Sequence, residues 1–140
     1  MANNTFKKRT ILCVDDDADD LVLLREAVAD TQQTYFFKEA HNGKEALDYL
    51  KAAVQAAELP SLIILDINMP VLNGKEVLAI IKNDEALKNI PTVVFTTSSS
   101  KEDQLFCRSF STDMVSKPVY FEELKRTVQR LLGYCAPVLA

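Results

Sequence analysis

Leu62-Ile63-Ile64-Leu65-Asp66-Ile67-Asn68-Met69-Pro70, followed by Asn73-Gly74, carries four aliphatic residues into one aspartate and then turns. An unbroken apolar run of this length, ended by turn residues, predicts a strand buried on both faces. Pro70 cannot continue a central strand, and Asn73-Gly74 is turn chemistry. Asp66 is therefore expected where a buried strand leaves the core. Packing rarely needs a carboxylate at such a place, so Asp66 is the first candidate for chemistry.

Toward the N-terminus, Thr10-Ile11-Leu12-Cys13-Val14 is a second apolar run, and it ends in Asp15-Asp16-Asp17. Asp19-Asp20 precede a helical stripe of Leu21, Leu24 and Val28, and acids in a first helical turn suit the macrodipole. Asp17, Asp19 and Asp20 are read as that solvated, capping turn. Thr34-Tyr35-Phe36-Phe37 predicts a strand leading to His41-Asn42-Gly43, with His41 read as a turn residue. Asn42 and Glu45 resemble a capping box ahead of Ala46, Leu47, Leu50 and Val54, in a helix expected to run to Leu59-Pro60. Beyond Gly74, Val77, Leu78, Ile80 and Ile81 predict a short helix. Thr92-Val93-Val94-Phe95-Thr96 predicts a strand released into Thr97-Ser98-Ser99-Ser100, where Ser100 with Asp103 can cap a helix through Leu105, Phe106 and Phe110. Asp113-Met114-Val115-Ser116 is a short strand ending at Lys117-Pro118. Phe121, Leu124, Val128, Leu131 and Leu132 form an amphipathic helix closed by Gly133 as a C′ residue. Residues 134–140 and 1–7 are expected to be terminal tails around one domain of residues 8–133.

Five strand patterns alternating with five helical ones predict a doubly wound α/β domain, with a five-stranded parallel sheet, right-handed crossovers and helices on both faces. The chain has 140 residues, enough for one proper core. Its net charge is −4 with scattered Lys and Arg, which argues against a nucleic-acid footprint. The Lys7-Lys8-Arg9 cluster is read as solubilising a strand entry. No apolar run reaches the roughly 18–20 residues of a membrane span. Three cysteines in no metal spacing, and no secretory pattern at the start, lead to the expectation of a reduced, cytoplasmic protein, with Cys13 a small core hydrophobe.

In a parallel sheet every strand C-terminus lies on one edge, where ligands bind. The predicted strands deliver Asp15 and Asp16, Asp66, Thr96 and Lys117 to that edge. Carboxylates so close repel one another and call for a cation or raised pKa values. An all-oxygen set suits a hard ion such as Mg²⁺, which usually keeps water and takes phosphate oxygens. Lys117 supplies a point charge and Thr96 a hydrogen bond for a phosphoryl group. With no nucleophile elbow, Cys/His pair or Gly-rich phosphate loop, an aspartate attacking phosphorus is the remaining covalent option.

Asp15-Asp16 after a strand, Leu65-Asp66 with Met69-Pro70 and Asn73-Gly74, Thr96 after a strand, and Lys117-Pro118 together resemble the receiver domain of two-component response regulators. Phe95-Thr96-Thr97-Ser98 and the acidic start are similar to the small stand-alone receivers, including those paired with bacteriophytochromes. The resemblance implies a flavodoxin-like (βα)5 fold of strand order 2-1-3-4-5, with Asp66 as phosphoacceptor from a sensor histidine kinase or histidine phosphotransfer protein. It implies Mg²⁺ held by Asp16, Asp66 and the backbone carbonyl of Asn68, with Asp15 acting through water. It assigns the phosphoryl oxygens to Thr96 and Lys117, and in this family the bond at Lys117–Pro118 is often cis. It further implies self-catalysed phosphorylation and dephosphorylation, tuned by Asn68 and Ser98. The output would go to a downstream protein through the face around the fourth helix, fifth strand and fifth helix, where receivers also dimerise. One departure is Met114, three positions before the lysine, where the family usually has an aromatic switch residue. The competing expectation is a Mg²⁺-dependent aspartyl-phosphate phosphatase or phosphotransferase acting on small molecules. Against it, Asp66-Ile67-Asn68 lacks the second acid of an Asp-x-Asp motif, and no cap-sized insertion is present.

Overall fold

A computed structural model describes residues 9–70 and 72–135. The elements alternate as β1 (Arg9–Val14), α1 (Ala18–Ala29), β2 (Tyr35–Ala40), α2 (Gly43–Ala56), β3 (Leu62–Leu65), α3 (Gly74–Lys82), β4 (Thr92–Thr96), α4 (Lys101–Ser109), β5 (Met114–Ser116) and α5 (Phe121–Leu132). All strand pairings are parallel, and the order across the sheet is β2-β1-β3-β4-β5. The doubly wound, flavodoxin-like architecture is as expected.

β1, β3 and β4 read as near-continuous aliphatic runs because both faces of the central sheet are covered. Successive side chains alternate between two cores. Ile11, Cys13, Leu62, Ile64, Val93 and Phe95 pack with α1 and α5. Leu12, Val14, Ile63, Leu65 and Val94 pack with α2, α3 and Cys107 of α4. Cys13 is fully buried, as a small hydrophobe would be.

Local chemistry starts the helices. Asp17 caps α1, its carboxylate accepting from the N–H groups of Asp19 and Asp20. Asn73 and Glu76 form a complete capping box at α3. At α2 only half of the expected box forms. Asn42 accepts from the Glu45 N–H, but the Glu45 carboxylate turns to the backbone N–H and ring of His41.

The helix ends correct two expectations. α2 stops at Ala57, which takes a left-handed φ of 56°, three residues before Pro60. The Ala57 N–H donates to Val54 O and the Glu58 N–H to Ala53 O, so termination precedes the proline. Gly133 has φ −66° and closes α5 in the right-handed region, so no left-handed C′ turn is made. Within the stretch read as a C-terminal tail, Tyr134 and Cys135 continue in turns bonded to Leu131 and Leu132, and the Tyr134 hydroxyl donates to Asp113. Residues 136–140, 1–7 and Lys8 of the basic cluster lie outside the described residues. Among the described residues no helix is long and apolar enough to cross a membrane.

Candidate functional site

The ladder between strands continues one residue past their ends, and that extra step aims the site. The Asp15 N–H donates to Ala40 O at 3.0 Å, the Asp66 N–H to Val14 O at 3.0 Å, and the Lys117 N–H to Thr96 O at 2.9 Å. Three functional backbones are thus fixed by the sheet while their side chains leave it. Thr96, the last residue of β4, is fully buried.

The side chains converge. Carboxylate oxygens of Asp15, Asp16 and Asp66 all lie within 4.8 Å of one another; Asp15 and Asp66 are buried and Asp16 is exposed. The Lys117 ammonium bonds Asp15 Oδ2 at 2.6 Å and Asp66 Oδ2 at 2.9 Å. It also bonds Asp20 Oδ2 at 2.8 Å. Asp20, expected in a solvated helix start, joins the site instead. No local signal marked it, because a first-turn acid has the same sequence pattern whether it faces solvent or a distant lysine.

The backbone holds the second oxygens. Asp15 Oδ1 accepts from the Asp17 N–H at 2.9 Å, and Asp66 Oδ1 from the Asn68 N–H at 3.0 Å. Asn68 Nδ2 lies 3.4 Å from Thr96 Oγ1, which also accepts from the Ser98 N–H at 3.2 Å. A threonine hydroxyl offers two acceptor sites and one proton. Both acceptor sites are occupied, and the proton has no acceptor among the described residues. A buried donor left over at the strand end fits an oxyanion arriving there.

Ser98 faces away from the carboxylates. Its hydroxyl donates to Asp103 Oδ2 at 2.5 Å, and Asp103 Oδ1 pairs with Lys75 Nζ of α3 at 2.5 Å. The β4–α4 turn is therefore tied to α3 two residues beyond Thr96. Met114 is half-buried against the core on the α2–α3 side of the sheet. The Lys117–Pro118 bond is trans, since the described residues contain no cis peptide.

The electrostatics match this crowding. Burial pushes the Asp15 carboxyl above the usual aspartate range, and the hydrogen bonds from Lys117 and the Asp17 N–H pull it partly back. For Lys117, burial favours the neutral amine. The hydrogen bonds to Asp15, Asp20 and Asp66 and the Asp66 charge outweigh it and hold the group well above the ordinary lysine value. One obligate cation thus faces four carboxylates, counting Asp16. A donor set with surplus negative charge and only oxygen ligands fits a hard divalent ion.

A doubly wound parallel sheet with clustered acids, a lysine and a buried threonine at its C-terminal edge has its polar groups where folds of this class bind ligands. A model of the response regulator receiver domain matches residues 11–129, and the chain belongs to that family. The probable methanogenesis regulatory protein FilR2 of Methanothrix harundinacea is 38% identical over 128 residues, covering 89% of this chain and 81% of that protein. The structure of the phosphorylated cyanobacterial phytochrome response regulator RcpA superposes with a TM-score of 0.84 at 31% identity, over 92% of this chain and 94% of that one. The Mn²⁺-bound form of the response regulator Rcp1 gives 0.82 at 29% identity, over 94% and 97%. Phosphorylation-dependent two-component signalling is therefore the functional class. Receivers accept phosphoryl groups from histidine kinases and bind Mg²⁺ or Mn²⁺ at an acidic pocket. Family membership does not favour the small-molecule phosphatase alternative.

Proposed function

We propose that this protein is a phosphorelay receiver, of residues 8–133, in which Asp66 accepts a phosphoryl group from the phosphohistidine of a sensor kinase or phosphotransfer protein. A carboxylate oxygen of Asp66 bonds to phosphorus as the bond from phosphorus to the donor imidazole breaks. The products are an acyl phosphate on Asp66 and a free histidine. The convergence of Asp66, Asp15 and Lys117, set by the sheet edge, is the observation that carries this proposal.

Each neighbour has a role. Lys117 screens the attacking carboxylate and the incoming phosphoryl charge, and Thr96 turns its uncommitted proton to a phosphoryl oxygen. The Asn68 N–H orients Asp66 through Oδ1. Asp16 and Asp66, the Asn68 carbonyl, and Asp15 through water would hold Mg²⁺, which when bound neutralises phosphoryl charge. Met114 lacks the bulk and hydroxyl of an aromatic residue, so movement at Thr96 passes outward by repacking of a flexible thioether. The output face lies at α4, β5 and α5, where a downstream protein or a second copy would dock, in the cytoplasm.

Incubation with Mg²⁺ and acetyl phosphate, read by intact mass, is the test. One hydroxylamine-labile phosphoryl adduct is expected, absent in Asp66→Asn and blocked by EDTA. An equal adduct in Asp66→Asn, or none in the wild type, overturns the proposal.

A further inference from the structure

We infer that Asp20 is a positioning residue that competes with the phosphoryl group for Lys117. This rests on the phosphoacceptor role proposed for Asp66. An ammonium has three N–H donors, and each donor of Lys117 already has a carboxylate: Asp15 at 2.6 Å, Asp20 at 2.8 Å and Asp66 at 2.9 Å. Lys117 therefore has no free proton for a phosphoryl oxygen. To engage one, it must release a partner.

The three partners differ in what release costs. The side chains of Asp15 and Asp66 are 3% and 8% exposed, and their second oxygens are held by backbone N–H groups. Leaving either without its cation strands a charge away from water. The Asp20 side chain is 35% exposed, and its other oxygen accepts nothing from the described residues. Water can replace the ammonium there at little cost. Asp20 is thus the exchangeable partner. It anchors Lys117 to the first turn of α1 before phosphorylation and lets go when a phosphoryl oxygen arrives.

Competition makes the direction of the effect unusual, because removing a contact of Lys117 should speed the reaction. Asp20→Asn keeps the size and removes the charge. Asp19→Asn makes the same charge change in the same helical turn, away from Lys117. With acetyl phosphate and saturating Mg²⁺, the initial rate of adduct formation at Asp66 is expected to rise about fivefold in Asp20→Asn, the scale of one partly exposed ion pair. Asp19→Asn is expected to stay within about twofold of wild type, the allowance for a screened charge. A purely structural role for Asp20 would lower the rate or leave it unchanged. A wild-type rate or slower in Asp20→Asn, or an equal rise in Asp19→Asn, overturns this inference while leaving Asp66 as phosphoacceptor. Absence of any wild-type adduct overturns both.

Discussion

Gly74 gives the sharpest test of how the fold holds the site. It opens α3, and its N–H donates to Ile67 O at 3.2 Å, so the helix start lies directly against the segment leaving β3. A Cβ built there would sit 2.2 Å from the Asp66 carbonyl oxygen and 2.3 Å from the Ile67 Cα. Ordinary contact begins near 3.4 Å, so the two backbones would have to part by about 1 Å. Both atoms belong to the main chain, and no side-chain rotamer can relieve the clash. Alanine is the better helix former by about 0.5–1 kcal/mol, while forced overpacking costs about 1–3 kcal/mol and sometimes more. Gly74→Ala should therefore destabilise the protein by about 2 kcal/mol and displace the Asp66 backbone. A 1 Å misplacement can cost on the order of a hundredfold in rate, so phosphorylation at Asp66 should fall at least tenfold by the same reasoning. Urea denaturation and the mass assay read the two effects. Gly133→Ala is the control, since that glycine has a right-handed φ and, among the described residues, only Arg130 O nearby, at 3.0 Å. Wild-type stability and phosphorylation in Gly74→Ala would refute the contact as a constraint. Lost stability with normal phosphorylation would mean that α3 yields and Asp66 does not.

Two further outcomes follow from the charge arrangement. Lys117→Met leaves Asp15, Asp20 and Asp66 facing one another, two of them nearly buried. Stability at neutral pH in EDTA should drop by about 3 kcal/mol and be largely restored by excess Mg²⁺; denaturation curves without a metal-dependent difference would contradict the charge accounting. Asp103 is held below the usual aspartate range, first by its hydrogen bond from Lys75 and then by that from Ser98. A depressed folded-state pKa contributes stability above the ordinary aspartate value, and that contribution is lost as pH falls through the depressed one. Asp103→Asn should thus be less stable than wild type at pH 7, with the gap closing under strong acid. A gap that is constant across the acid range would show that Asp103 acts through packing alone.

Much of the molecule was legible along the chain because its signals are local. Aliphatic runs ending in Asp15, Asp66 and Thr96 declare buried parallel strands, and in such a sheet strand ends must gather at one edge whatever the details of packing. Alternation then brings Asp15, Asp66, Thr96 and Lys117 together without further information. Helix starts at Asp17 and Ser100 were equally visible, since a capping side chain reaches only two or three residues ahead, whereas Asn73, read as turn chemistry, caps α3 in the structure.

What the linear pattern could not convey depends on contacts between distant elements. Asp20 reads as a first-turn acid, and only the packing of α1 against α5 and the folded sheet puts it 2.8 Å from a lysine 97 residues away. Lys75, Ser98 and Asp103 come from three segments and meet through rotamers that no periodicity specifies. Gly74 looked like ordinary turn chemistry until the helix it opens was seated on the Asp66 backbone. The sequence by itself determined a parallel sheet, the alternation of elements along the chain and the identity of the residues at the sheet edge, because hydrophobic period and turn residues act over a few positions; the strand order across the sheet was implied only by the resemblance to receivers. Tertiary structure alone decided which charges share a proton donor and where no side chain can fit. Those depend on distances between surfaces that meet only after the chain has folded.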